Sequence, residues 1–433
     1  SYATRKKNIR IYLLIDEYDN FTNTILSTYG TEFYRKATHG EGFIRGFFNV
    51  IKSATTGTGA ALERLFITGV SPVTMDDVTS GFNIGTNITN DSWFNDLVGF
   101  SENELREMLE YYKEQGVLQE SIDEIVAMMK PNYDNYCFSE DTLEQCMFNS
   151  DMALYFLKSF VLHHKKPKEI VDPNIRTDFN KLAYLIKLDH GLGENFSVIK
   201  EIAEQGEIIT DIVTHFSALE MTDPSNFKSL LFYFGLLSIK GVDMVGRPIL
   251  HVPNLVVREQ LFNFLIQGYI KHDIFKIDMN RMSALFENMA FRGDWKPLFD
   301  FIANAVREQS RIREYIEGEA HIKGFLLAYL GMYRYYQLYP EYELNKGFAD
   351  FFFKPSPSVP VLPPFTYLLE VKYAKAGASE KEIRALADEA REQLLRYSED
   401  ELVAEARAKG ELKLITIVWR SWELALLEEV TLS

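Results

Sequence analysis

The sequence predicts an α/β unit at each end of the chain and a helical middle between them, on three observations. Residues up to about 115 alternate short apolar runs with segments of helical spacing, the pattern of a parallel sheet with crossover helices. From about 117 to 340 the chain is rich in Leu, Phe and Tyr at helical spacing, with breaks at Pro131, Pro167, Pro173, Pro224 and Pro253. From about 341 short apolar runs return, separated by a Pro-rich connector over 355–364. At roughly 150 residues per domain, 433 residues leave room for two or three cores, and the reading divides them as 1–116, 117–305 and 306–433.

In the first unit Ile11–Ile15 reads as a buried strand and Arg64–Thr68 as another, with Phe43, Phe47, Phe48 and Ile51 at helical spacing between them. Ser101 and Glu104 then form a capping box for a helix that stops at Gly116. In the middle, Phe227–Leu237 is an apolar helix, Gly241–His251 a hairpin, and a further helix starts at Val256. That order fits a winged-helix module or a β-hairpin packed on a helical bundle. The lack of a basic recognition helix weighs toward the second. In the last unit Gly347–Phe353 and Tyr367–Tyr373 are strands, a long helix is capped by Ser379 and Glu382, and Leu412–Trp419 and Trp422–Val430 are two more strands.

Composition excludes several classes. With 46% hydrophobic and 25% charged residues, neither disorder nor a fibrous repeat fits. A net charge of −16 excludes a chain-wide basic surface, so any contact with nucleic acid must use a local patch or a metal. Two cysteines, Cys137 and Cys146, make no disulfide framework and no zinc spacing, and the expected compartment is the reducing cytoplasm. The apolar stretch 229–237 is about half the ~20 residues a membrane span needs, so no membrane anchor is expected. Because the chain opens at Ser1 and enters a strand almost at once, it reads as a fragment with further sequence upstream.

Two places carry chemistry. Asp16 and Glu17 end the first strand, where open parallel sheets put their sites. Asp16 is placed to hold Mg²⁺ through water and Glu17 to orient or deprotonate an attacking water, the alternative being a solvated strand end. Thr68, at the end of the second strand, stands where a γ-phosphate sensor would lie, the alternative being a strand-end turn. The G-x-x-x-x-G-K-[ST] loop that would hold the phosphates does not occur; Gly57-Thr58-Gly59 and Gly191-Leu192-Gly193 read as loops. Either that loop lies upstream or the fold no longer binds nucleotide.

The second place is Asp350 with Glu370-Val371-Lys372. Glu370 and Lys372 are two apart on a strand and share a face. If the two strands pair as an antiparallel hairpin, Asp350 lies beside them. The two carboxylates and the Val371 carbonyl then suit Mg²⁺ or Mn²⁺, and Lys372 suits orienting a water or steadying charge on a phosphate. Ile312, Tyr315, Glu319, Leu326 and Leu330 recur at helical spacing, which puts Glu319 on an apolar stripe where it needs a partner. Gln393 falls on the sheet-facing side of the long helix, a polar group placed to organise water or phosphate.

Leu13–Asn20, Phe66–Pro72 and Gly99–Leu105, followed by the ordered set Glu319, Asp350, Glu370, Lys372 and Gln393, resemble the landmarks of the AAA-ATPase-like family fused to a C-terminal PD-(D/E)XK nuclease-like domain. The resemblance implies a truncated P-loop-type sheet domain, a helical middle and a restriction-endonuclease-like α/β domain. It also implies metal-dependent phosphodiester hydrolysis, with nucleic acid, DNA first, as partner. ATP enters only with the missing phosphate loop. The alternative is a catalytically inactive nucleotide switch or interaction scaffold. A homo-oligomer is left open, and no membrane partner is expected. One departure is Phe348, which stands where relatives often carry Arg.

Overall fold

The computed structural model describes residues 11–55, 60–70, 72, 85–167, 169–171, 194–217, 220–221, 223–271, 278–308, 318–344, 347–356 and 359–431. Gly57–Gly59, Pro173, Gly191–Gly193, Ile312 and Tyr315 lie outside them.

Strand β1 (Ile11–Ile15) pairs in parallel with β2 (Leu62–Ile67), joined by helices α1 (Asn20–Thr38) and α2 (Phe43–Thr55). The buried stripe of α2 is Ile44, Phe48 and Ile51; the expected Phe43 and Phe47 face solvent. Steps of four and three residues keep 44, 48 and 51 on one helix face, and 43 and 47 each stand one residue, about 100°, back from 44 and 48, on its solvent-side flank.

Helices α3 (Glu102–Glu114), α4 (Ile122–Tyr133) and α5 (Ser150–His163) enclose a small core of their own around Leu105, Leu109, Ile125, Met129, Phe156 and Phe160. The capping box of Ser101 and Glu104 starts α3. Pro131 is not the expected break, because it sits in the last turn of α4, which ends at Tyr133. Beyond them lie α6 (Glu194–Gln205), β3 (Glu207–Ile209), α7 (Pro224–Tyr233), β4 (Ser238–Val242), β5 (Pro248–His251) and α8 (Leu255–Lys271). The hairpin β4–β5 gains β3 as a third antiparallel strand, in the order β3-β5-β4.

Three helices, α9 (Met279–Arg292), α10 (Lys296–Glu308) and α11 (Glu319–Leu330), lead into β6 (Tyr336–Leu344), β7 (Gly347–Pro355) and β8 (Phe365–Ala374). Helices α12 (Glu380–Tyr397) and α13 (Glu401–Lys409) cross over to β9 (Glu411–Arg420), and β10 (Glu423–Val430) closes a sheet of order β10-β9-β8-β7-β6. Only β8 and β9 run parallel, as a strand–helix–strand crossover requires. One face, with Phe351, Phe353, Tyr367, Leu369, Ile415 and Trp419, joins the core of α6 to α11. The other, with Phe352, Leu368 and Leu414, packs on Leu394 and Tyr397 of α12.

The sequence reading runs its mostly helical stretch to about residue 340 and names no strand before Gly347, whereas the structure has strand β6 over Tyr336–Leu344. The expected 305/306 boundary falls inside α10, whose buried Leu298, Phe299, Ile302 and Val306 belong to the core shared with the sheet. Among the described residues no helix is long and apolar enough to cross a membrane.

Candidate active site

The antiparallel ladder of β7 and β8 pairs Phe353 with Tyr367, Phe352 with Leu368 and Phe351 with Leu369, and ends there. Asp350 and Glu370, the next residue on each strand, therefore stand where the two strands part. Both are buried, at 4% and 2% exposure. In place of a ladder bond, the Val371 N–H donates to Asp350 Oδ2 at 2.6 Å. The N–H and C=O of an extended residue point to the same side, so the Val371 carbonyl is turned toward the same gap.

Lys372 lies one pleat beyond Glu370 and donates from Nζ to Glu370 Oε1 at 3.2 Å, with Glu389 Oε1 of α12 also at 3.2 Å. Glu370 Oε2 is buried and has no hydrogen-bond partner. The same holds for Gln393 Oε1, one turn beyond Glu389 on α12, and for Thr416 Oγ1, which β9 places in register with Glu370. Gly347 opens β7 at φ +138°, and a Cβ there would come within 3.0 Å of the Tyr397 hydroxyl, so the close approach of β7 to α12 needs glycine. Phe348, beside it, is exposed.

Glu319 departs from the sequence reading. It is the first residue of α11, where the apolar stripe of Ile322, Leu326 and Leu330 runs out into solvent, and its side chain is 42% exposed. Its partner is Lys323, at 3.1 Å. Lys323 escaped the sequence reading, although its i, i+4 relation to Glu319 was visible. Its ammonium forms an ion pair with Asp350 Oδ1 and lies 3.0 Å from Glu341 Oε1. Glu341 was hidden because the sequence reading names no strand over β6. The pairs Pro340–Phe351 and Tyr342–Ala349 set it opposite Asp350.

Burial pushes the Asp350 carboxyl up to about 6 against the pull of Lys323. Burial, helped by the Asp350 charge, pushes Glu370 up to about 8 against Lys372. For Lys323 and Lys372 burial works against the charge, but the neighbouring carboxylates outweigh it and both are raised. A carboxylate whose pKa is higher folded than unfolded keeps its proton longer in the folded chain. The stability it contributes is full at acid pH and falls as pH rises from about 4 toward the folded value. Metal-free protein should therefore lose thermal stability between about pH 4 and 8, the interval these shifts define, and Glu370→Gln should flatten that decline. Melting curves in chelator, with equal slopes for both proteins, would refute the assignment.

The residues fit a hard divalent cation: the donors are oxygens, two of them carboxylates, and one carboxylate oxygen is buried without a partner. Among the described residues no group of three or more His, Cys, Asp or Glu is arranged around one metal position. Water would complete the shell, as is common for Mg²⁺.

At the N-terminal site the structure brings Asp16 and Thr68 together. Thr68 Oγ1 donates to Asp16 Oδ1, and the Glu17 N–H donates to the same oxygen at 3.0 Å. Glu17 takes a left-handed backbone at φ 51°, and Asn20 Nδ2 donates to its Oε2 at 2.8 Å. Asp19, not singled out from sequence, is buried and accepts the Val70 N–H at 3.2 Å, tying the ends of β1 and β2.

A mixed sheet clad by helices on both faces, with paired carboxylates and a lysine where two strands part, is compatible with the PD-(D/E)XK architecture. Residues 317–429 match the family model described as the PD-(D/E)XK nuclease superfamily. Residues 1–79 match that of a predicted AAA-ATPase. The two matches stand in the order of the fusion whose landmarks the sequence resembles, and they suggest a nuclease. None of the curated proteins compared with the chain matches it.

Proposed function

We propose that the chain is a metal-dependent nuclease that hydrolyses phosphodiester bonds of nucleic acid, DNA in the first instance. The observation that carries this is the buried pair Asp350 and Glu370 at the parting of β7 and β8, with Lys372 beside it and Glu370 Oε2 left without a partner. Mg²⁺ or Mn²⁺ would be held by Asp350, Glu370 and the Val371 carbonyl, and would supply the charge that polarises a phosphate oxygen and acidifies a water. Lys372 brings an ammonium to the position where charge builds on the phosphate, and its bonds to Glu370 and Glu389 fix its direction. Gln393 can accept from a water with Oε1. The Val371 N–H holds the Asp350 carboxylate in place, and Glu319 acts through Lys323.

The N-terminal segment would couple nucleotide state to access or assembly, with Asp16 and Thr68 facing the metal and γ-phosphate of ATP and Glu17 orienting water. The parallel pairing of β1 and β2, which brings Asp16 and Thr68 to the same strand ends, supports this.

The full chain with Mg²⁺ or Mn²⁺ should cut single- or double-stranded DNA or RNA, and Lys372→Ala should slow cleavage by about 10²–10³-fold, the scale for one charge-stabilising group. Equal cutting by Lys372→Ala would remove the site from consideration. One observation favours the scaffold alternative: Asp350 already has a cation partner in Lys323. On that reading, Mn²⁺ calorimetry finds no site that depends on Asp350 and Glu370.

A further inference from the structure

Two lysines converge on the carboxylate pair from opposite faces of the sheet. Lys372 lies on the face covered by α12. Lys323 comes from α11, whose Ile322 and Leu326 share a core with Leu369 and Val371 on the other face. Their effects differ. Lys372 engages one oxygen of Glu370 and leaves Oε2 open. Lys323 completes Asp350, whose Oδ2 already accepts the Val371 N–H and whose Oδ1 takes the ammonium.

We propose that the Lys323 ammonium is the resident cation of this site: it holds the place beside Asp350 that a divalent metal needs, and metal enters by displacing it. Lys323 thereby sets the metal concentration at which the site switches on. The proposal rests on the nuclease reading above.

Of the two groups on Asp350, only one can leave. The Val371 N–H is fixed by the strand, which stays paired to β9 through Val371 and Ile417. The Lys323 ammonium is carried on a flexible four-carbon stem. It has Glu341 at 3.0 Å and Glu319 at 3.1 Å to receive it, both more exposed than Asp350. Leaving Asp350 therefore does not leave the ammonium unpaired, which is what makes displacement feasible in a half-buried setting. The charge balance points the same way. Even with Glu370 neutral, Glu319, Glu341, Asp350 and Glu389 are four carboxylates set against two ammonium groups, an excess that favours a dication over a single lysine charge.

The test is Mn²⁺ titration of the full chain by calorimetry, comparing wild type with Lys323→Gln, Lys323→Met and Lys323→Arg. The two neutral variants should bind Mn²⁺ about tenfold or more tightly than wild type, as expected when a competing charge at contact distance is removed. Lys323→Arg should bind no more tightly than wild type, because it keeps the competing charge. In chelator, whichever neutral variant folds should melt below wild type, since Asp350 has lost its ion-pair partner, and Mn²⁺ should raise its melting temperature more. Equal or weaker Mn²⁺ affinity in the neutral variants overturns this inference while leaving the nuclease reading standing. A complete lack of Asp350-dependent binding in every protein, judged against Asp350→Asn, overturns the nuclease reading and this inference with it.

Discussion

Glu370→Gln is expected to lower cleavage of nucleic acid by roughly 10³-fold or more, while leaving the metal-free protein at least as stable as wild type at pH 8. The two effects have one cause. Glu370 is 2% exposed, its Oε2 has no partner, and burial together with the Asp350 charge opposes its ionisation. An amide fills the same space with no charge to desolvate, so folding is relieved of the penalty that a buried carboxylate carries. Catalysis loses a charged metal ligand that water cannot replace, and losses on the scale of several kcal/mol in the barrier follow. The measurements are initial cleavage rates with Mn²⁺ and melting temperatures in chelator on the same preparations. A variant that cuts like wild type contradicts the role. A variant that loses activity only because it has lost its fold contradicts the claim that Glu370 is held in the site at the expense of stability.

The strand-borne part of this site was legible because it obeys a period of two. Glu370 and Lys372 had to share a face, and Asp350 had to fall near them once Gly347–Pro355 and Phe365–Ala374 paired. The caps were legible for an equally local reason: Ser101 with Glu104 and Ser379 with Glu382 are each three residues apart and start helices where expected. Strand β6 was not. Tyr336-Gln-Leu-Tyr-Pro-Glu-Tyr-Glu-Leu344 does alternate, but its tyrosines and Pro340 blur the contrast between buried and exposed positions. With β6 unread, Glu341 had no place in space, and the cluster that Lys323 ties together could not be assembled. Helix α13 carries no strong apolar period, since only Val403 of its nine residues is buried, and it escaped for that reason. Gln393 was placed by helix phase alone; that its Oε1 is an unpartnered acceptor is a fact of three-dimensional packing. At the N-terminus the sequence put Asp16 and Thr68 at two strand ends, while their hydrogen bond depends on the parallel register Ile15 to Ile67.

Phe353→Ala should destabilise the chain by about 3–5 kcal/mol, the usual loss for a fully buried Phe. Phe353 is 0% exposed and meets Tyr336 edge-on at 5.7 Å and Tyr367 at 6.4 Å between ring centres. Tyr367 in turn donates its hydroxyl to the Met289 carbonyl of α9 at 2.7 Å. The side chain thus lies where the sheet and the helices α8 to α11 share one core, on the far side of the sheet from α12. If that shared core makes them one cooperative unit, the variant should shift the denaturation curve by Trp fluorescence and by helical circular dichroism together, because Trp295 and Trp419 are buried in the same cluster. The site's geometry would then depend on packing that begins well before residue 306, and α9 and α10 would count with the sheet. If the fluorescence curve moves while a large helical transition stays where it was, the sheet unfolds alone, and a division close to the one read from sequence is the correct description of how the chain is organised.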